Sequence, residues 1–157
     1  MVRRMTVVAL LLQLAGCSTF GGMTNRSALQ RSVGLASLHD VMEKSDKVML
    51  RHQFQIVRRD INKHVYIETH WRDRVPFADE ASGGVVTAQT RVIITARPRT
   101  STALGQIYTV GMRIENRVMH AFDSAWSLTA PTSDYRAWAT GIATELRSEL
   151  DVGVRVF

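Results

Sequence analysis

The chain has one cysteine, three lysines among its twenty basic residues, and no apolar run long enough to cross a bilayer. A single cysteine excludes an internal disulfide framework, and as a free thiol outside the cytoplasm it would be an oxidisable liability unless modified. The scarcity of lysine leaves 17 arginines to carry the positive charge, a bias expected from base composition or from bidentate recognition of carboxylate and phosphate. Gly-x-Ser-x-Gly, His-Glu-x-x-His and a phosphate-binding glycine loop are all missing, and Gly83-Gly84 reads as a turn. No enzyme is expected, and no cofactor.

What is present begins at the N-terminus. Arg3 and Arg4 precede the apolar run Met5–Leu14, broken only by Thr6 and Gln13 and well short of the roughly 20 residues of a spanning helix. This is the pattern of a removable export signal, residues 1–16. Leu14-Ala15-Gly16-Cys17 resembles the lipobox of bacterial lipoproteins. The resemblance implies cleavage before Cys17, diacylglycerol on its sulfur and acylation of its amine. Two or three acyl chains hold a protein to a membrane far longer than one, at about 0.8 kcal/mol per buried methylene. Ser18 in place of aspartate implies, by the same resemblance, the periplasmic side of the outer membrane.

Cleavage leaves 141 residues with 18 basic and 14 acidic side chains, a net +4. That length fits a single domain, which buries roughly 68–70% of its unfolded surface and needs neither disulfide nor metal. Residues 17–32 are rich in Gly, Ser, Thr and Asn and read as an acylated flexible tether, leaving 33–157 as the domain. Leu35, Leu38, Val41 and Met42 then recur at helical spacing and predict a helix over Val33–Asp46.

The period next changes to two. Met49–Asp60, His64–Trp71, Val85–Arg97 and Ile107–Val118 each alternate apolar with polar residues and predict four strands, with a hairpin at Asp60–Lys63 and an end at Pro98. Ser133-Asp134 opens a helix whose apolar stripe is Tyr135, Trp138, Ala139, Ile142, Leu146 and Leu150. Val152–Phe157 reads as a short terminal strand. The expected fold is α+β, a two-layer sandwich: a four-stranded antiparallel meander with an N-terminal and a C-terminal helix on one face. This order, with the run Phe54–Trp71 containing Tyr66-Ile67-Glu68-Thr69, is similar to small envelope lipoproteins of the BamC kind and their helix-grip-like domains. No function is carried over from that likeness.

The outward strand positions collect Arg51, Arg91, Arg97, Arg113 and Arg117. Such a face suits an acidic protein segment or the phosphates of an anionic envelope component, and equally suits plain solvation, with Glu68 and Glu115 partly neutralising it. Nucleic acid is not an expected partner, because the export signal removes the domain from the cytoplasm and no stacking motif accompanies the arginines. His64, Glu68 and His70 share a strand face, but the outer two lie about 20 Å apart at roughly 3.3 Å per residue, too far for one metal ion. His39, His52 and His120 have no ligand-spaced neighbours. Asp73, Asp79 and Glu80 surround Val75-Pro76-Phe77 in what reads as a solvated or recognition loop, while Trp71, Trp126 and Trp138 read as core packing.

The leading expectation is a non-catalytic, lipid-anchored envelope protein that binds another envelope component, as an accessory subunit of a membrane assembly. The alternative is a carrier that holds an amphipathic or lipid ligand between helices and sheet, in a cavity among Phe54, Ile67, Met112 and Trp138.

Overall fold

A computed structural model of the chain describes residues 27–102 and 105–153. Cys17, the lipobox and the last four residues of the expected terminal strand lie outside the described residues. The elements are β1 (Ala28–Ser37), α1 (Leu38–Arg51), β2 (Ile56–Ile61), β3 (Val65–Thr69), β4 (Arg72–Arg74), α2 (Ala78–Ser82), β5 (Val85–Thr102), β6 (Gly105–His120), β7 (Ser127–Leu128) and α3 (Ser133–Gly153).

The four-stranded meander is therefore wrong. The sheet has seven antiparallel strands in the order β1-β6-β5-β3-β2, with β4 paired to β5 and β7 to β6. Ala28–Ser32 belong to β1 and not to a tether, and Val33–Ser37 continue that strand instead of opening a helix. The reason is a bulge. The pairing with β6 shifts between Ser32 and Gly34, whose φ of +142° suits glycine, so Leu29 and Val33 face the core on odd positions and Ala36 does so on an even one. That break in parity hides the strand from any count of alternating residues.

Ser37 ends β1 and caps α1, its hydroxyl accepting from the Asp40 amide at 3.1 Å. The helix buries Val41, Ser45, Val48 and Met49 and runs five residues past the expected end. Met49–Arg51 are thus its last turn and not the start of a strand, and the chain reverses at Gln53, φ +57°. β5 passes through Pro98, which pairs with Tyr108 beside a second register shift that absorbs the missing amide, and continues to Thr102.

α1 and α3 pack against one face of the sheet. Val92, Ile94 and Ala96 of β5, Val110, Met112 and Ile114 of β6, Leu29 and Val33 of β1, and Tyr135, Ile142, Leu146 and Leu150 of α3 form one contiguous core. Val152 and Gly153 complete α3. Phe54, Ile67 and Met112 are buried in this core and Trp138 packs against it, so side chains fill the region named for a ligand cavity. Among the described residues no helix is long and apolar enough to cross a membrane.

Candidate functional site: the open face of the sheet

Among the described residues the other face carries no helix. Alternation along the long β5–β6 hairpin turns Gln89, Arg91, Ile93, Thr95 and Arg97 to this side, opposite Thr109, Gly111, Arg113, Glu115 and Arg117, and β3 adds Tyr66 and Glu68. Four of the five arginines singled out from the sequence stand here. Arg51 does not: it lies at the end of α1 on the helical side, paired with Glu145 and, at 2.6 Å, with Glu149 of α3. It was misplaced because the last turn of α1 mimics an alternating strand.

The four that remain divide by what they touch. Arg91 donates through Nε to Glu115 at 2.5 Å and through Nη1 to Glu68 at 2.6 Å, and Arg113 pairs with the other oxygen of Glu115. The Tyr66 hydroxyl donates to Glu68 at 3.0 Å, and burial together with that carboxylate pushes its pKa up. Arg117 is flanked by two indoles, 4.3 Å from the Trp71 ring centre and 4.8 Å from that of Trp126, and its Nε donates to Gln89 at 2.6 Å. Trp71 and Trp126 are therefore cation–π partners on the open face, not core residues, and only Trp138 packs against the core. Arg91, Arg113 and Arg117 are consequently spoken for within the protein.

Arg97 is free. It lines a groove of about 600 Å³ whose other walls include Arg31, Tyr66, Ile93, Thr95 and Arg113. A second hollow of about 380 Å³, bordered by Arg58, Lys63 and His64, shares Tyr66, Thr95 and Arg97 with it. Among the described residues no carboxylate lies within ion-pair distance of Arg31, Arg97 or Lys63, while Arg58 reaches Asp60 only at 3.9 Å. The two hollows thus form one shallow trough with an apolar and aromatic floor and a cationic rim. It has the chemistry to receive an extended acidic segment, with backbone against Ile93 and Tyr66 and carboxylates toward the guanidinium groups.

Arg31, Tyr66 and Ile93 were not singled out from the sequence. Ile93 left a signal, since it shares the parity of Arg91, Thr95 and Arg97 and so puts an apolar side chain on the polar face. Arg31 left none, because its strand was not recognised. Among the described residues no three of His, Cys, Asp and Glu stand together as metal ligands.

The supposed loop around Val75-Pro76-Phe77 is instead a structured corner. Glu80 is buried and paired with Arg74, and Asp79 accepts from the Asp134 amide at 3.0 Å at the start of α3, which holds its carboxyl below the usual range. No family model matches the chain, and neither a curated protein nor a solved structure does.

Proposed function

We propose that this is a non-catalytic lipoprotein, anchored through acyl groups on Cys17 to the periplasmic side of the outer membrane, that holds an acidic segment of another envelope component on its open sheet face. One observation carries this reading: among the described residues Arg97 on the groove wall has no acidic partner, and neither has Arg31 at the edge strand, whose guanidinium donates to the Gln30 carbonyl at 3.1 Å. Cations left unpaired beside an apolar floor serve association more than folding, because ion pairing at a surface adds little to stability. Arg91, Arg113 and Arg117 frame the site and fix its shape.

The test is photocrosslinking in cells from a benzoyl-phenylalanine placed at Thr95, followed by mass spectrometry of adducts and of the N-terminus. The expected result is an acylated Cys17 and one stoichiometric envelope partner whose adduct disappears in the double variant Arg31→Glu, Arg97→Glu. An adduct that survives both charge reversals removes the acidic-segment reading, and an unmodified Cys17 removes the anchor.

A further inference from the structure

One end of the sheet is built unlike the other. The turn between α2 and β5 and the turn after β6 meet there, joined by the Ala121 amide donating to the Gly84 carbonyl at 3.3 Å. These two turns, Ala-Ser-Gly-Gly-Val-Val at 81–86 and Ala-Phe-Asp-Ser-Ala-Trp-Ser-Leu at 121–128, contain one charged residue, Asp123, and His120 stands 3.3 Å from it. Phe122 is 106% exposed, Val86 58% and Leu128 57%. Phe122 also has φ +74°, a left-handed conformation that an L side chain adopts at a cost. Toward the opposite end stand Arg97, Arg99 and Lys63, with Asp60 among them.

The apolar end is also where the chain enters the domain. β7 and β1 lie along the same edge of β6: Leu128 pairs with Arg117, Ala28 with Glu115, and the Ser27 carbonyl accepts from the Asn116 amide at 3.3 Å. Ser27, the first described residue, therefore lies beside Leu128. Nine residues lie between Cys17 and Ser27, ten steps along the chain that span at most about 35 Å.

We propose that this end is a membrane-contacting surface, with Phe122 entering the boundary between headgroups and acyl chains of the bilayer that takes the Cys17 lipid. The proposal rests on the lipid-anchored reading of Cys17. Geometry agrees with a bilayer as the occupant: Phe122, Val86 and Leu128 are exposed at this end beside the single acid Asp123, Ser27 lies next to them, and Trp126 is close by, as indoles are at membrane interfaces. With this end down, the cationic trough and hairpin tip point away from the lipid and toward a partner. Phe122 then works as a second, weak membrane contact that orients a domain the acyl chains only tether.

The experiment uses the full-length protein purified from cells and reconstituted into vesicles of phosphatidylethanolamine and phosphatidylglycerol. Benzoyl-phenylalanine replaces Phe122 in one preparation and Thr100, at the far end, in another, and adducts are read by mass spectrometry after illumination. A phospholipid adduct at position 122 and none at position 100 is the expected result. Equal adducts at both positions, or none at 122, each overturn the proposal. The intact mass of the same samples reports on Cys17 separately. An unmodified Cys17 with a lipid adduct at 122 removes the anchor and keeps the contact, whereas an acylated Cys17 without that adduct does the reverse.

Discussion

The guanidinium of Arg74 and the carboxylate of Glu80 face each other through two parallel hydrogen bonds of 2.6 Å, with side chains only 6% and 2% exposed. The remaining valences are satisfied as well. Arg74 donates to Asn116 at 2.8 Å and to Thr90 at 3.1 Å, and Glu80 accepts from the Phe77 amide and from Asn116, both at 2.9 Å. The rings of Phe77 and Tyr135 lie 4.5 and 5.1 Å from the guanidinium. β4, α2, β6 and α3 are held to one another by this polar plug.

Removing one partner leaves a buried charge without compensation. Arg74→Ala or Glu80→Ala should each lower stability by about 3–5 kcal/mol, whereas the paired change Arg74→Met with Glu80→Leu should recover most of the loss. Urea unfolding of the three variants measures it, and equal losses for the single and paired changes would contradict the argument.

Acid should weaken the same plug. Burial raises the Glu80 pKa, but the hydrogen bonds from Arg74, the Phe77 amide and Asn116 outweigh it and hold the carboxyl below its ordinary value. The unfolded chain then binds the proton first as pH falls. The stabilisation is fully present above the ordinary carboxylate pKa of about 4.3 and is lost as pH drops through the lower folded value. Urea midpoints between neutral pH and about pH 3 should show wild type and Glu80→Gln converging in acid. A constant gap would mean that the carboxylate is not the stabilising form.

Phe122 should be a position where stability can be raised. Glycine adopts positive φ without the steric cost that a Cβ brings, so Phe122→Gly should gain about 1 kcal/mol while Phe122→Ala gains nothing. Thermal and urea unfolding decide this, and a loss in the glycine variant would show that the exposed ring packs in solution after all.

The parts of the fold legible in the sequence are those where one face of an element is buried without interruption. Val92, Ile94 and Ala96, then Val110, Met112 and Ile114, keep strict alternation because both strands of the hairpin press one side on the helices. Tyr135, Ile142, Leu146 and Leu150 keep helical spacing for the same reason. The failures come where geometry breaks the period. The bulge at Gly34 changes parity within β1, and Leu35, Leu38 and Val41 then imitate a helix across the capping residue Ser37. β4 is three charged residues long, and β7 only two residues, too short for any pattern.

The site was half legible. Arg91, Arg97, Arg113 and Arg117 were assigned to the correct face because their strands were, but which of them are free depends on Glu68, Glu115, Trp71 and Trp126, which come from separate parts of the chain. Spacing along a sequence holds no information about such pairings. The aromatic residues misled for a related reason: Trp71 and Trp126 cover Arg117, which is distant from both in sequence, so their local context does not show it.

The pairing of Ala28 with Glu115 also joins strands that are far apart in the chain. β5 and β6 are neighbours in the chain and can zip together as soon as they exist, whereas β1 is made first and must wait for the outer edge of β6. Among the described residues β1 has β6 as its only strand partner. A strand whose partner edge lies so far along the chain raises the contact order of the fold and slows its closure.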